Sequence, residues 1–582
     1  MNRHRLHPYL VPALWAVVCL SCLLIFPITW LSGAAQDAKA PSVRGEPQLP
    51  IEPSKAQPAR MTEAGESPEI ARGRALFTRQ CAICHGEQGD GAGQFAYLMN
   101  PRPRDFRKGK FKLTTTTNLI PTDEDLLRTI SRGMPGSAMP PWGHLPNSDL
   151  QALVAFVRKV HVDAVGADLE KAARDGAISA KDIPTMLADR TRPGAPIIVP
   201  PEPAFDDLRW FTGRRIYIEA CAPCHGANGE PVAEAVKFDD EGYLVPPRSF
   251  VNGIFKGGME GPQLYARILK GMRGTPMPGY EGTYTADEMW DLIHYVQSLA
   301  RAGAQERAQL RQSTIVAPAV AGSLPKGPDD PAWNQARAVY VGMTPLWWTP
   351  DRIEGVMVQA LHTGDELAVR LSWIDPTQDD RAVRVDEFRD AVAIQFSLTS
   401  DPPFYMGDRT GGGGVNIWMW KADRQKNIAS GYQDVDAAFP DRAADMYQEQ
   451  DFTFPDMSVM DWPRGKIESH DKTFVTAWGA GNLVADPTLK TSVECLVARG
   501  PGTLANKPIA VQFVQGQASY ARGVWSVQMQ RTMDLPCEHG DQDERVFRAG
   551  DYLPVSFAIW DGAMGDRDGK KNISIWQKLV IE

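Results

Sequence analysis

Two short cysteine and histidine motifs constrain this 582-residue chain more than any other feature of its sequence. The first is CAICH at residues 81–85, and the second is CAPCH at residues 221–225. In a C-x-x-C-H pattern, two thiols can bond to one edge of a porphyrin while the adjacent histidine reaches the iron. A zinc site would need a second ligand pair, and a thioredoxin-type dithiol would need a βαβ setting. The sequence has neither, so it predicts two covalent c-type haems, held by Cys81, Cys84, Cys221 and Cys224.

The two motifs belong to an internal repeat. At an offset of 140 the matched pairs include Gly73 with Gly213, His85 with His225, and Gly89 with Gly229. Further along, at an offset of 138, Met139 matches Met277. Duplication of one ancestral unit is the simplest explanation of this pattern.

Each repeat ends in a short amphipathic helix. The first places Leu150, Leu153, Val154 and Val157 at the spacing of one helix face. In the second, a capping box of Thr285 and Glu288 precedes a similar apolar pattern. Both repeats are therefore predicted to be all-α.

Residues 67–162 and 205–302 resemble class I c-type cytochromes, through the two motifs and a Met-Pro loop before each last helix. The resemblance implies that His85 and His225 each bind iron on one side and that Met139 and Met277 bind on the other. Met134 and Met272 also match across the repeat, but they lack the family's position. A thioether ligand fills the iron and favours its ferrous state, which indicates electron transfer and weighs against a dihaem peroxidase.

The repeats also share a Pro-Arg-x-Phe sequence, which contains Arg104 in the first and Arg248 in the second. Either arginine could pair with a haem propionate. Either could equally lie in a surface loop beside a packed phenylalanine, and the sequence leaves both interpretations open.

Residues 8–36 carry no charge, and the apolar run at 9–31 is long enough to cross a bilayer. Because Arg3 and Arg5 precede it, we expect a single-pass helix in the inner membrane with the haem domains on the periplasmic side. A cleaved signal peptide is the alternative. The net charge of -9 argues against a nucleic-acid partner, because phosphate binding needs clustered Lys and Arg.

After residue 326 the hydrophobic period changes from 3.6 to 2, and many short strands separated by turns predict an all-β sandwich. The predicted fold is thus multidomain: an N-terminal transmembrane helix, two all-α cytochrome c domains and a C-terminal all-β sandwich. The predicted boundaries are an anchor or signal at 1–36, a linker at 37–66, a cytochrome domain at 67–162, a linker at 163–204, a cytochrome domain at 205–302, a linker at 303–326 and the sandwich at 327–582.

The last of these regions resembles the haem-binding domain of the ethylbenzene dehydrogenase γ-subunit family. Five blocks carry the resemblance: PPFYMG at 402–407, VNIWMWKAD at 415–423, GPGTL at 500–504, WSVQMQR at 525–531 and GKKNISIW at 569–576. The family is a β-sandwich that holds one non-covalent haem b between a methionine and a lysine. Position by position, this implies Met406 and Lys571 as the iron ligands. A lysine binds iron only as a neutral amine, so its site must be desolvated.

Other interpretations of these residues stay open. Met406 could be an ordinary core methionine and Lys571 a charge at a strand edge, while Lys570 and Lys421 are alternative lysines. The stretch at 424–499 is longer than the family pattern suggests. Two further cysteines in the region, Cys495 and Cys537, could form a disulfide or remain buried thiols.

The resemblance implies an electron-transfer subunit and not the enzyme itself. We find no iron–sulfur cysteine set and no nucleophile array in the sequence. The implied partners are the catalytic and iron–sulfur subunits of a molybdenum enzyme of the dimethyl sulfoxide reductase superfamily, and a soluble c-type cytochrome. Nitrite or nitrate systems are favoured among such complexes. The alternative is a cytochrome-linked ligand-binding or sensor module with a haem-free β-sandwich.

Overall fold

The computed structural model describes residues 66–232, 237–349, 352–400, 402, 406–407, 413–431, 433, 439, 441, 490–500, 502–508, 511–534 and 544–582. Two helical units come first, and a pair of packed β-sheets follows them.

The first helical unit contains α1 (Pro68–Gln80), α2 (Ala82–His85), α3 (Asp123–Arg132), α4 (Asn147–Arg174) and α5 (Ile183–Thr191). Local signals define the helix starts: the Ser67 side chain accepts a bond from the amide of Ile70, and a capping box of Thr122 and Asp125 opens α3. Helix α4 continues past the predicted domain boundary at 162. The chain after α5 then returns to this unit, where the Thr117 amide donates to the Ala195 carbonyl.

The second helical unit repeats this plan with α6 (Asp207–Ala220), α7 (Ala222–His225), α8 (Gly261–Lys270), α9 (Ala286–Ser298) and α10 (Ala304–Ala308). A two-stranded ribbon, β1 (Lys237–Phe238) and β2 (Leu244–Val245), lies between α7 and α8. The capping box of Thr285 and Glu288 is present as predicted. The apolar face of α9 packs into a buried core with Ile216 and Tyr217 of α6.

A glycine at each helix crossing explains one part of the repeat. A Cβ at Gly73 of α1 would lie 2.0 Å from the carbonyl oxygen of Ala152 in α4. At the matching crossing, a Cβ at Gly213 of α6 would lie 2.0 Å from the carbonyl oxygen of Asp291 in α9. Only glycine permits these backbones to approach so closely, so α1 packs on α4 at the same point as α6 packs on α9.

The C-terminal region is a sandwich of two sheets around a large apolar core that includes Trp373, Trp418 and Trp420. One sheet has the order β12-β13-β7-β6-β4, and the other runs β11-β10-β9-β8-β14-β15-β5, with β16 paired to β14 and β3. The strands are β3 (Thr314–Ala317), β4 (Val339–Gly342), β5 (Thr344–Pro345), β6 (Gly355–His362), β7 (Glu366–Ile374), β8 (Ala391–Ser397), β9 (Val415–Lys421), β10 (Val493–Ala498), β11 (Ala505–Asn506), β12 (Gln515–Ala521), β13 (Val524–Thr532), β14 (Tyr552–Trp560), β15 (Asn572–Ile573) and β16 (Gln577–Ile581). Helix α11 (Ala422–Ser430) follows β9 directly.

The transmembrane helix of the predicted fold class needs correction. Among the helices that the structure describes, none is both long and apolar enough to cross a membrane. Helix α4 has the length, with 28 residues, but charged side chains recur along it from Asp149 to Arg174. The run predicted to span the bilayer, residues 9–31, lies outside the described residues. For the described residues, the corrected fold class is two helical units followed by packed β-sheets, and the prediction that both repeats are all-α is wrong for the second, which contains the β1–β2 ribbon.

Candidate haem sites

The first C-x-x-C-H motif forms the turn between α1 and the short helix α2. The amide of Cys81 donates to the Phe77 carbonyl at 2.8 Å, which ends α1 and starts the motif. The His85 ring stacks on Phe106 with 4.6 Å between centroids, and its Nδ1 lies 3.2 Å from the Arg104 carbonyl oxygen. A carbonyl can only accept, so Nδ1 carries the proton and Nε2 keeps a lone pair for a metal. Burial lowers the pKa of His85 to about 4, which keeps the ring neutral.

The second motif has the same geometry. His225 Nδ1 lies 3.1 Å from the Arg248 carbonyl oxygen, and the ring stacks on Phe250 at 4.4 Å. Burial lowers the pKa of His225 as well. The repeated Pro-Arg-x-Phe sequence is thus explained in part: its arginine carbonyl and its phenylalanine ring fix the orientation of each histidine.

A cavity of about 140 Å³ in the first unit brings the predicted ligands together. Its lining includes Cys81, Cys84 and His85 from the motif, together with Met139. Met134 also lines it. The rest of the wall is largely apolar, with Phe77, Leu126, Ile130, Trp142, Leu153 and Val157 among its residues. In the second unit, Cys221 and Met277 pack against one and the same apolar cluster.

A hydroxyl group fixes each methionine loop, which the sequence reasoning did not anticipate. Ser137 Oγ donates to the Met134 carbonyl at 2.7 Å and lies 3.4 Å from the amide of Met139, which donates to it. Thr275 holds the loop of Met277 through the same pair of bonds, at 2.7 and 3.4 Å. The signal was present in the sequence, because Ser137 and Thr275 match at the offset of 138.

Four cations gather where the two helical units meet. Arg104, Lys112 and Lys256 line the cavity of the first unit, although Lys256 belongs to the second. Arg248, only 5% exposed, lies with its guanidinium 4.1 Å from the centroid of the Trp348 ring. Its positive charge helps lower the pKa of both Lys112 and Lys256. Among the described residues, no carboxylate lies within ion-pair distance of any of the four.

These four cations, of which Arg248 and Lys112 are buried and Arg104 and Lys256 half-buried, provide a test of whether the site fits a haem. Arg248 Nε, Nη1 and Nη2 and Arg104 Nε are buried without a hydrogen-bond partner. Burial lowers the pKa of Arg248 to about 9, since no anion offsets the desolvation of its charge. Haem propionates are anions that enter such a pocket with the porphyrin. The cation set therefore fits the haem c that the thiols and histidines predict, and Lys112 and Lys256 extend the arginine pair that the sequence suggested.

The β-sandwich brings Met406 and Lys571 to one region beside Trp560. Met406 packs against an apolar cluster that contains Trp560, and Lys571 Nζ lies 4.9 Å from the Trp560 ring centroid. Met406 has a φ of 48°, and its carbonyl accepts a 2.6 Å bond from the amide of Gly500. The GPGTL block therefore helps hold the backbone of the methionine in a conformation that non-glycine residues rarely adopt.

The structure separates the candidate lysines by their partners. Lys421 forms a buried ion pair with Glu494 at 2.7 Å, and Lys570 lies 3.6 Å from Asp566. Lys571 has no carboxylate within ion-pair distance among the described residues, and burial lowers its pKa to about 8. It is thus the lysine that most readily presents a neutral amine, as iron binding requires.

Two further sequence predictions in the sandwich, the Cys495–Cys537 disulfide and the long stretch at 424–499, fall partly outside the described residues. Cys495 is buried in β10, and Cys537 lies outside the described residues, so their disulfide stays a prediction. Most of the long stretch at 424–499 also falls outside the described residues.

A shared apolar wall connects the first cytochrome pocket with the Met406 region. Phe95, Met99 and Ala138 of the first unit pack with Leu346 and Ile573 of the sandwich, and both Cys84 and Met406 contact this cluster. Backbone bonds hold the wall together. The Asn100 amide donates to the Leu346 carbonyl at 3.1 Å, and the Leu346 amide donates to the Lys571 carbonyl at 3.0 Å.

Known family models match the two helical units and the β-sandwich separately. A model described as ethylbenzene dehydrogenase matches residues 330–572. A model described as cytochrome c oxidase, cbb3-type, subunit III matches residues 68–157, and a cytochrome c model matches residues 212–300.

Curated relatives match parts of the chain. A putative respiratory nitrate reductase heme subunit of Haloferax mediterranei is 26% identical over 262 residues, which is 43% of this chain and 67% of the relative. The dimethylsulfide dehydrogenase subunit gamma of Rhodovulum sulfidophilum is 27% identical, over 38% of this chain and 58% of its own length. The chlorate reductase subunit gamma of Ideonella dechloratans is 23% identical, over 48% of this chain and 89% of its own.

Among solved structures, a Kuenenia stuttgartiensis reducing HAO-like protein complex includes a chain that is 32% identical over 40% of this one and 96% of its own length, with a TM-score of 0.33. The family matches and the curated relatives confirm the two resemblances drawn from the sequence. The chain joins two cytochrome c domains to a domain of the ethylbenzene dehydrogenase family, and it is a relative of haem and gamma subunits of oxidoreductases.

Proposed function

We propose that this chain is a non-catalytic subunit that relays electrons between a molybdenum oxidoreductase and a soluble c-type cytochrome. It carries two covalent c haems, bound through Cys81, Cys84, Cys221 and Cys224, and one non-covalent haem b in the sandwich. When bound, the haems supply reversible one-electron oxidation and reduction. The curated relatives named as gamma subunits support the choice of partner, which includes catalytic and iron–sulfur subunits.

The observation that carries this proposal is the apolar wall between the first cytochrome pocket and the Met406 region. Cys84, which would bond one haem, and Met406, which would bind another, pack on the same small cluster. Because Cys84 and Met406 contact the same buried cluster, an electron that passes between the two haems would travel through packed protein and not through solvent. This arrangement suits a relay, in which neighbouring cofactors must lie close together.

The ligand sets support conduction over catalysis. In the first unit, His85 and Met139 line one cavity, so both axial positions can be filled by side chains. In the second, Met277 packs on the same core as Cys221. If these side chains hold the iron on both sides when haem is bound, no position stays open for a small substrate, which is why we propose a subunit without its own catalytic centre.

In the sandwich, the surroundings of Lys571 favour an uncharged ligand. Its pKa of about 8 places the neutral amine within reach of ordinary pH, whereas an exposed lysine would stay charged. Burial maintains this state against the opposing charge of Asp568, and no carboxylate of the described residues lies within ion-pair distance of Nζ. The compartment expected from the sequence, the periplasmic side, stays a prediction.

Pyridine haemochrome spectra of the full-length chain, matured with its haems, test this function. We expect c-type and b-type haem in a ratio of about 2 to 1. The variant K571M should lose the b-type component, because the sulfur of the substituted residue cannot reproduce the reach of Nζ. The matched control K570M should keep it, since Lys570 already has Asp566 as its partner.

Two results would contradict the proposal. A wild-type chain that matures with c-type haem alone would favour the ligand-binding module with a haem-free sandwich. Steady turnover of peroxide by the purified chain would instead indicate an open iron and a dihaem peroxidase.

A further inference from the structure

Three aspartates converge at one end of the β-sandwich, outside the haem sites. Asp375 directly follows β7, Asp390 directly precedes β8, and Asp561 directly follows β14. Each contributes a carboxylate oxygen to a group in which all three atoms lie within 4.8 Å of one another. Asp375 and Asp390 are completely buried.

Hydrogen bonds satisfy only part of this cluster. Asp390 accepts from the Trp525 indole at 2.9 Å, from the Gly562 amide at 2.9 Å and from the Asp379 amide at 2.7 Å. Asp375 Oδ1 accepts from the amide and hydroxyl of Thr377. Its Oδ2 is buried and has no partner with hydrogen-bond geometry, although the Trp373 indole is close enough to lower the pKa of the carboxyl. Asp379, next to the cluster, also has a buried Oδ2 without a partner.

No positive side chain of the described residues pairs directly with these carboxylates. Among the described residues, no lysine or arginine lies within ion-pair distance of Asp375, Asp390 or Asp561. Lys570 acts on Asp561 only at longer range, while Asp379 adds a further negative charge. Burial and the neighbouring carboxylates raise the pKa of Asp390 to about 7 and that of Asp375 to about 6. Buried carboxylates in this arrangement need either protons or a cation.

We propose that Asp375, Asp390 and Asp561 bind a divalent cation of the calcium class. Two oxygens bound to one calcium at about 2.4 Å can lie at most about 4.8 Å apart, so the observed spacing fits a shared ion. The donors are all oxygens, a set that favours hard cations over zinc or copper. The unpartnered Asp375 Oδ2 is the atom that the cation explains best.

The cation links three strands to the loop that ends at Lys571. Gly562, the first residue after Asp561, is already tied to Asp390, and a Cβ there would lie 2.3 Å from the Phe388 carbonyl oxygen. Trp560, the residue before Asp561, carries the ring beside Lys571 Nζ. An ion bound to Asp561 would therefore hold both of its neighbours, Trp560 and Gly562, and with them the indole ring beside Lys571 Nζ. This second part rests on the proposed haem b function, whereas cation binding itself does not.

Calcium titration of the full-length chain tests the site. The protein is dialysed against a chelator and then titrated with calcium chloride by isothermal calorimetry near neutral pH. We expect one ion per chain, and we expect D390N to weaken binding by at least about 100-fold. The matched control is D380N, because Asp380 lies in the same loop but pairs with Lys426 at 2.7 Å. Its affinity should stay within about 3-fold of the wild type.

A wild-type chain that takes up no calcium after chelation overturns the proposal, and so does a D390N variant that binds as well as the wild type. If D390N fails to fold, D375N removes the unpartnered oxygen and is measured instead. Haem b content is recorded on the same samples. Calcium binding without haem b would leave the cation site standing and refute the b-type part of the function, whereas haem b without calcium binding would do the reverse.

Discussion

Replacing Gly73 by alanine should destabilise the first cytochrome unit, because it inserts a methyl group where two helix backbones touch. The added Cβ would lie 2.0 Å from the Ala152 carbonyl oxygen, whereas ordinary contact begins at 3.4 Å. Helix α1 must therefore retreat by about 1.4 Å or twist, and such overpacking costs typically about 1–3 kcal/mol. For a unit that runs from Pro68 to beyond Thr191, each kcal/mol lowers the Tm by about 3–6 °C.

The displacement should also reach the haem, since α1 ends at Cys81. We expect G73A to weaken the absorption band of ferric haem ligated by methionine and histidine by about half, because one of the two c sites loses its Met139 geometry. G166A is the matched control. It lies within α4, where a Cβ would meet nothing within 4 Å, and alanine there should stabilise the helix by about 0.5–1 kcal/mol.

Differential scanning calorimetry and optical spectra of the three proteins provide the measurement. The reasoning is refuted if G73A melts at the wild-type temperature with its band intact. An equal loss in G166A would also refute it, because the effect would then arise from any alanine in these helices and not from the crossing.

Three further predictions concern the charges and loops around the sites. R248Q should lower the midpoint potential of one c haem by about 30–60 mV in redox titration, because a buried cation stabilises ferrous over ferric iron. The control R214Q, on the exposed side of α6, should change the potential little. In calcium-free protein, burial raises the pKa of Asp390 from 3.8 to about 7, so the proton held there in the folded state contributes stability that is lost as pH rises from about 4 to about 7. The Tm of the wild type relative to D390N should therefore fall over that range, and added calcium should remove the fall. S137A should lose about 1 kcal/mol of stability in chemical unfolding, and added imidazole should replace the Met139 ligand more readily. If neither quantity changes, the hydroxyl does not hold the loop.

The sequence predicted those features that arise from local pattern. The C-x-x-C-H motifs and the offset of the repeat located both helical units, and the period-2 runs located the hairpin of β6 and β7. The capping box at Thr285 is present because such a box depends only on residues three apart. Placement of His85 and Met139 around one cavity was implied by the resemblance to class I c-type cytochromes, although Met134 lines the same cavity.

Contacts between the units could not be predicted in this way. The strand β5 is only two residues long, yet it and the residues after it bond to Ser137 and Asn100 of the first cytochrome unit. Neither hydrophobic period nor turn chemistry marks such a segment, because its stability comes from tertiary contacts. The acidic cluster was missed for a similar reason, since Asp375, Asp390 and Asp561 lie far apart in sequence and meet only when three strands end at the same place.

Low-temperature electron paramagnetic resonance of the fully oxidised, full-length chain tests the central claim most directly. With side chains at both axial positions of each haem, only low-spin ferric signals are expected, with a total intensity of about three irons per chain. Added peroxide or cyanide should leave them unchanged. A substantial high-spin signal, or a signal converted by cyanide, would show an open iron and contradict a protein that only relays electrons.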